Sequence, residues 1–422
     1  MSQSSGPELP SSPQMPASGA VAQGKRPGAI FAVALAAISL IGPLAVHIFL
    51  PIIPGIRAAF GMSDALVQLN FSISLLSMAF STLVYGSLAD RYGRRPVLLS
   101  GLALFVVGTG LCALAWSAPT LLAGRFVQAV GAGCGIALVR TIARDAYGAQ
   151  GLAKAIAYLT MAYTMGPLLA PMIGGFLHDG LGWRSVFVFA FACSAAIAAI
   201  AWIVVPETRP AVSEATAAFH QRSVLRNYLE LFAHWRFAAF VFQTGMSSAV
   251  FFSMAAAASG LMKDILDRPA SEYGLWFLTF PVGYFAGNFI STRFIGRAKQ
   301  ETMVLAGSLI GLLTTAAQCI LLLNGVINPA VLFIPGFFVT FAQGIALPHA
   351  QSAAINIVPR LVGTASGIGV FLQSFLGGMF AQWYGMLANG TVLPLVIVTG
   401  TGTVLMFVAG LLPWLFPERR GT

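Results

Sequence analysis

Few side chains of this chain could do chemistry inside its long apolar runs. Two histidines, His47 and His349, lie within such runs, and so does Arg125, which is followed three residues later by Gln128. An imidazole titrates at about pH 6.5 and can carry a proton, whereas an arginine inside a membrane costs about 3 kcal/mol on insertion scales and needs partners. These residue types suit binding and proton transfer better than bond making.

The acidic residues are placed where they cannot form a catalytic pair in the apolar interior. All thirteen lie in tails, loops or the ends of apolar runs: Glu8, Asp64, Asp90, Asp145, Asp179, Glu207, Glu214, Glu230, Asp264, Asp267, Glu272, Glu301 and Glu418. The four cysteines are scattered singly, without metal or redox spacing, and are interpreted as small core residues. Since no nucleotide loop or nucleophile triad is present either, we expect no enzyme, no cofactor and no metal. The alternative to a protein without catalysis is an enzyme with several membrane spans, and covalent turnover of a bound compound would favour it.

The composition is that of a membrane protein. Of the 422 residues, 57% are hydrophobic and only 9% are charged, against about 25% charged in soluble domains. A membrane-spanning helix needs about 20 mostly apolar residues, and twelve such runs follow one another between residues 28 and 415. No stretch alternates as the strands of a membrane barrel do. The sequence therefore predicts an all-α polytopic membrane protein with twelve transmembrane helices.

The positions of the basic residues predict how the chain crosses the membrane. Eighteen of the 23 lysines and arginines fall on one side of a twelve-span arrangement and four on the other, with Arg125 inside. The positive-inside rule then places both termini in the cytoplasm. The net charge of +10 is thus explained by topology, with some attraction to anionic lipid, and we expect no nucleic-acid partner.

A polar stretch after six spans divides the chain into two halves. We predict a disordered cytoplasmic tail over 1–27, six-helix halves over 28–205 and 237–415, a cytoplasmic linker over 206–236 and a second tail over 416–422. Residues 224–233 of the linker could form an amphipathic helix on the membrane surface.

A charged motif, GSLADRYGRR, occupies residues 86–95 between the second and third apolar runs. It resembles, at every fixed position, the GxLADRxGRR loop of major facilitator superfamily transporters, which implies two pseudo-symmetric six-helix halves and a cytoplasmic gate. Asp90 could accept hydrogen bonds from Arg91 or Arg94 and meet the N-terminus of the eleventh span near 363–365, while the glycines allow tight turns. The simpler interpretation, that the charges only set topology, leaves the acid and the glycines unexplained. The predicted gating residues are Gly86, Asp90, Arg91, Gly93, Arg94 and Arg95.

The fourth span resembles that of proton-coupled members of this superfamily. Residues 121–135 contain the RxxQxxGxG core, with Arg125 and Gln128 on one helix face and therefore directed together toward a cavity. The alternative is that Arg125 lies near the interface and extends its charged end to water.

The fifth span, YTMGPLLAPMIGG, resembles the signature of exporters in the superfamily. Prolines bend a helix and glycines allow close packing, so this helix suits the interface between the halves, although a packing kink alone would look the same. The predicted antiporter motif consists of Gly166, Pro167, Pro171, Gly174 and Gly175.

Further fragments at 47–56, 140–148 and 347–373 resemble the bicyclomycin and chloramphenicol resistance branch of the twelve-span drug:proton antiporters. That branch usually has an aspartate where this chain has His47, and more often an asparagine at the position of His349. Three interpretations of His47 remain: it carries the proton, it packs as a hydrogen-bonded core residue, or coupling through the first span is lost and Arg125 pairs with an anionic substrate group. His349 is interpreted as structural.

We therefore expect a proton-coupled multidrug efflux transporter that exports small hydrophobic or amphipathic compounds by alternating access. The alternative is an importer or symporter of small organic anions or zwitterions that uses Arg125. The expected partners are a drug-like molecule, protons and the lipid bilayer, and the chain is expected to be a monomer in the bacterial inner membrane. The candidate site residues are His47, Arg125, Gln128, Phe49, Tyr163, Phe251 and His349.

Overall fold

The computed structural model describes residues 28–209, 224–294 and 296–416, and this part of the chain is helical with no β-strand. The predicted tail 1–27, the middle of the predicted linker and residues 417–422 lie outside it. Eleven helical segments are long and apolar enough to cross a membrane, and we number them spans 1 to 7 and 9 to 12: Ala29–Phe60, Asp64–Tyr92, Arg94–Ala113, Ala118–Gly148, Lys154–Leu181, Trp183–Val204, Trp235–Asp264, Gln300–Leu323, Pro329–Ile357, Pro359–Leu387 and Leu393–Leu415. Span 8 consists of two shorter helices, Ala270–Phe277 and Thr279–Phe294. The predicted all-α polytopic fold is confirmed.

Prolines divide spans 1 and 8 into pieces. Pro43, Pro51 and Pro281 each follow the last residue of a helical piece by four positions, because proline lacks the N–H group that this residue would otherwise bind. The pieces of span 1 are Ala29–Ser39, Ile41–His47, the 3-10 turn Leu50–Ile52 and Ile53–Phe60. His47 is therefore the last residue of a helical piece in the middle of span 1.

The charged motif between spans 2 and 3 is mostly helical, and the expectation of a loop over 86–95 is wrong in this respect. Span 2 continues to Tyr92, so Gly86 lies within a helix and makes no turn. The chain turns at Gly93, whose φ of +103° is strained for other residues, and span 3 begins at Arg94. A helix can continue beyond the apolar layer because nothing in the sequence LADRY breaks it.

The two halves, 28–209 and 224–416, meet most closely at one end of the bundle. We call this the far end, and the end where residues 28 and 416 lie the terminal end. Within the described residues, every hydrogen bond between the halves lies at the far end: Arg57 with Asp264, Ser259 with the carbonyl of Leu50, the N–H groups of Ala270 and Ser271 with Asp179, and Gln382 with the carbonyl of Ala65.

Glycines of span 11 show how the halves diverge toward the terminal end. A Cβ on Gly385 would lie 2.4 Å from the side chain of Gln68 in span 2, and one on Gly378 would lie 3.0 Å from Leu76. Beside Gly369 and Gly363, nearer the terminal end, no atom lies within 4 Å. Spans 2 and 11 thus touch at the far end and separate at the terminal end, and the structure is open toward the terminal end.

A short helix, Val224–Ala233, precedes span 7 and packs against the terminal end of the second half. Leu231 is buried, whereas Leu229 and Phe232 are exposed. Its Glu230 carboxylate accepts a hydrogen bond from Arg360 at the start of span 11. The helix is thereby linked to the start of span 11.

Candidate functional site

Arg125 is buried completely in the first half and joins three spans. Its Nη1 donates to the carbonyl of Ala45 in span 1 at 2.9 Å and to Oε1 of Gln128 at 2.6 Å, and its Nε donates to the carbonyl of Asn70 in span 2 at 3.2 Å. The guanidinium lies 4.3 Å from the centre of the Phe49 ring, a distance at which the π face stabilises a cation. Arg125 points inward between the helices instead of toward a membrane surface.

The Arg125 cluster contains no carboxylate among the described residues. Its charge is balanced by carbonyl and amide dipoles, and Gln128 extends the network by donating to Thr109 in span 3 at 2.9 Å. Nη2 of Arg125 and Oδ1 of Asn70 are both buried without a hydrogen-bond partner. Asn70 and Thr109 were not predicted as members of this cluster, because the sequence does not indicate which neighbouring helix a polar residue within a span faces.

His47 lies where the two halves meet. Its Nδ1 is 2.9 Å from the carbonyl of Pro43, and because a carbonyl only accepts, Nδ1 carries the hydrogen and Nε2 is left to take up a proton. The ring packs at centroid distances of 6.2 Å against Phe251, Phe252 and Phe277 of the second half. A protonatable side chain of span 1 is therefore enclosed by aromatic rings of spans 7 and 8.

Most of the predicted site residues lie in two adjoining groups: one contains Arg125, Gln128 and Phe49, and the other contains His47 and Phe251. Both groups include part of span 1, because Arg125 binds the carbonyl of Ala45, two residues before His47. Phe49 was expected to line a cavity, but it is completely buried beneath Arg125 and lines no open space in this conformation.

Tyr163 and His349 lie apart from these groups. Tyr163 is 37% exposed and shares a helix face with Pro171, whose carbonyl contacts Gly274 at the start of span 8. This face of span 5 is directed toward span 8, and Tyr163 lies on it nearer the terminal end. His349 is buried in span 10, and its Nε2 has no hydrogen-bond partner among the described residues.

The charged motif forms a network within the first half at the terminal end. Arg94 donates to Asp90 at 2.6 Å and to Asp145 at the end of span 4 at 3.2 Å. Glu207, just after span 6, accepts hydrogen bonds from four backbone N–H groups. Two belong to Arg94 and Arg95 at the start of span 3, and two belong to its neighbours Thr208 and Arg209. Partial burial acts to raise the pKa of Glu207, but these donors outweigh it and lower the pKa below its usual range.

Asp90 pairs with Arg94, one of its two predicted partners, and makes no hydrogen bond to residues 363–365 in the described structure. The predicted contact with the start of span 11 cannot form here because spans 2 and 11 separate at the terminal end. Asp145 and Glu207 were missed as members of this network, since their distance in sequence from the motif gives no sign of contact.

The glycines of the span 5 motif allow that helix to touch two others. A Cβ on Gly166 would lie 2.2 Å from Pro43, and one on Gly174 would lie 2.7 Å from the carbonyl of Ile48, both in span 1. A Cβ on Gly175 would lie 2.3 Å from the carbonyl of Ala270 at the start of span 8. Pro167 and Pro171 lie inside the same helix. Span 5 therefore packs closely against span 1 of its own half and, at the far end, against the start of span 8 of the other half.

Replacing Gly175 with alanine should force the far end apart, because the added methyl group would meet backbone that cannot rotate away. We expect transport to fall and a cysteine placed at the far end to react faster with a membrane-impermeant maleimide. Gly180→Ala, in the same helix with no atom within 4 Å of the added carbon, is the matched control. Equal labelling and equal transport in the two variants would show that the close contact at Gly175 does not limit the separation of the halves at the far end.

Two helical halves that touch at one end, with a protonatable group between them, define a membrane transporter of the two-domain type. The chain belongs to the Major Facilitator Superfamily, whose family model matches residues 35–382. The predicted superfamily is confirmed, and the chain is a multi-pass membrane protein.

Relatives with assigned names extend over most of the chain. It is 29% identical to multidrug resistance protein D of Escherichia coli K12, covering 88% of this chain and 91% of that protein, and 23% identical to a bicyclomycin resistance protein homolog of Haemophilus influenzae, covering 90% and 95%. Among solved structures, the D-xylose–proton symporter superposes with a TM-score of 0.73 at 14% identity, covering 93% of this chain and 99% of that one. At this identity the structural likeness shows the fold alone.

Proposed function

We propose that this protein is a proton-coupled exporter of small hydrophobic or amphipathic compounds. The observation that carries the proposal is the position of His47, on span 1 and enclosed by phenylalanines of spans 7 and 8. A group held between the halves can link its protonation to their relative movement, because separation of the halves changes its surroundings. The names of the relatives, which are multidrug and bicyclomycin resistance proteins, support export.

The distribution of basic residues supports a cytoplasmic position for the terminal end and both termini, in a bacterial inner membrane. The structure is then the form open to the cytoplasm, and the contacts of Arg57 and Asp179 at the far end close the outer side. In the outward-open form, a proton would reach Nε2 of His47. In the return to this form, the terminal end would reopen, the proton would leave to the cytoplasm and a new substrate molecule would enter.

Import of organic anions by Arg125 is supported less well. The guanidinium is completely buried and already engages two carbonyls, Gln128 and the Phe49 ring. In this conformation it positions spans 1, 2 and 4 and offers no surface to a substrate. We propose that Gln128 helps Arg125 to position these spans. We also propose that Tyr163 and Phe251 contact the substrate.

The protein is proposed to work as a monomer and to transport its substrate without chemical change.

The function is tested by expressing the chain in a bacterial host deprived of its own drug exporters. We expect lower susceptibility to part of a panel of neutral and amphipathic antibiotics, and a substrate-dependent release of protons from acidified everted vesicles. Substrate uptake into cells that rises with expression, with no change in susceptibility, would overturn the proposal in favour of import.

Removing the ion pair at the far end should shift the protein modestly toward the outward-open form. Arg57 joins Asp264 of the other half at 2.5 Å, with side chains 28% and 27% exposed, and such a pair is worth about 0.2 to 1 kcal/mol. We expect Asp264→Asn to raise the outward-open population up to about fivefold, seen as longer distances between spin labels on Ala59→Cys and Asn324→Cys.

Asp267→Asn is the control for this shift, because Asp267 pairs with Lys263 of its own half and is exposed. The labels would be placed in a background without the four native cysteines. Unchanged distances in Asp264→Asn would show that the ion pair does not hold the far end closed.

A further inference from the structure

A groove on the outer surface of the first half lies between spans 3 and 6, near the terminal end. It has a volume of about 570 Å³ and is lined by Arg95, Pro96, Leu99, Ser100, Ala103, Ala198 and Trp202. Several of its lining side chains are small, and Trp202 is 65% exposed. A surface of this kind faces lipid tails, because both spans lie at the outside of the bundle.

The mouth of the groove is positively charged. Arg95 donates through Nη2 to the carbonyl of Trp202 at 2.8 Å and lies 5.8 Å from the centre of its ring. Arg209 lies next to Arg95, because the backbone N–H groups of both bind the carboxylate of Glu207, and it donates to the carbonyl of Arg91 at 3.0 Å. Arg91 and Arg209 are both exposed. The three guanidinium groups make no ion pair with a carboxylate of the described residues, and Nε of Arg95 is buried without a partner.

Glu207 makes no ion pair with these arginines. Its carboxylate accepts hydrogen bonds from backbone N–H groups instead, including those of Arg95 and Arg209. An apolar groove below a cluster of unpaired arginines, with a tryptophan at its rim, matches a lipid with an anionic head group and not a neutral one.

We propose that this groove binds an anionic phospholipid, with one acyl chain between spans 3 and 6 and the phosphate against Arg95, Arg91 and Arg209. The site is separate from the substrate pathway, which lies between the halves. It is occupied from the leaflet on the terminal side, where Arg95 and Trp202 hold the head group and the first part of the tail.

The proposal is tested by quenching of Trp202 fluorescence by brominated lipids in nanodiscs, with the contribution of Trp202 obtained by subtracting the signal of Trp202→Phe. We expect brominated phosphatidylglycerol to quench this signal at an at least fivefold lower mole fraction than brominated phosphatidylcholine, since one arginine near an anionic surface is worth about a factor of five. Arg95→Gln keeps the backbone N–H that binds Glu207 and should lower this preference by about that factor.

Two further variants make the test specific. Arg144→Gln removes an exposed arginine at the same end of the bundle that pairs with Asp145 and does not line the groove, so the preference should persist. Ala198→Leu fills the groove without a change of charge and should weaken quenching by both lipids. Equal quenching by the two lipids in the unaltered protein, or an unchanged preference in Arg95→Gln, would overturn the proposal.

Discussion

Replacing His47 with alanine is expected to abolish proton-driven export while leaving the protein in the membrane at its usual level. The change removes a buried protonatable side chain of the first half that packs against three phenylalanines of the second half, and the small side chain leaves Phe251, Phe252 and Phe277 in place. A pH difference of one unit supplies about 1.4 kcal/mol per proton and can sustain about a tenfold substrate gradient. We expect this gradient to fall to unity in His47→Ala.

The measurement is substrate accumulation in everted vesicles with an imposed pH difference, alongside substrate-dependent proton release. His47→Gln is the matched variant, because the NH₂ group of glutamine can still donate to the carbonyl of Pro43, but the amide cannot take up a further proton as Nε2 of histidine can. Loss in both variants supports proton carriage, whereas loss in the alanine variant alone indicates a packing role. Unchanged proton release in His47→Ala would exclude His47 as the carrier.

His47→Asp adds a comparison with the branch that this chain resembles, which usually has an aspartate at this position. A carboxylate would be enclosed by the same phenylalanine rings and would lack the hydrogen on Nδ1 that binds Pro43. We expect coupling to be retained with a different pH dependence if the position carries the proton. Retained coupling in Asp but not in Gln would show that titration, and not hydrogen bonding, is what the position requires.

Removal of Arg125 is the second change with a large expected effect. Arg125→Ala would leave the carbonyls of Ala45 and Asn70 and Oε1 of Gln128 without their donor, and would open a cavity above the ring of Phe49. Buried acceptors without donors and the new cavity together cost about 2 to 5 kcal/mol. We expect a lower midpoint of thermal unfolding in detergent, by several degrees, and loss of transport.

Arg125→Lys separates the charge from the geometry. An ammonium group keeps the positive charge but cannot serve the three acceptors from one plane, so we expect transport to stay low even if the protein is more stable than the alanine variant. Arg184→Gln, which loses one bond to the carbonyl of Ala115, serves as the control for removal of a single donor. Full transport in Arg125→Lys would mean that the charge alone matters.

Arg125 and Phe49 show which features of the site can be predicted from the residues and which cannot. The cost of a buried arginine predicts that Arg125 needs partners, and its spacing places Gln128 beside it, three residues away on one helix face. The carbonyls of Ala45 and Asn70 are not predictable, because a carbonyl has no sequence signature and becomes an acceptor only where another helix presents a donor. Cavity exposure, expected for Phe49, depends in the same way on which helix covers it.

The class of protein and the approximate positions of the spans can be predicted from the residues alone, because they follow from the lengths of the apolar runs. The breaks within span 1 cannot, because Pro43 and Pro51 end helical pieces at Ser39 and His47 whereas Pro167 and Pro171 lie inside a helix that continues. The packing of helices decides which residues of the other half surround His47, that Asp90 makes no hydrogen bond to the start of span 11, and that three arginines without an ion pair lie beside a lipid-facing groove. These contacts, made or not made, join parts of the chain that are distant in sequence, and no local rule predicts them.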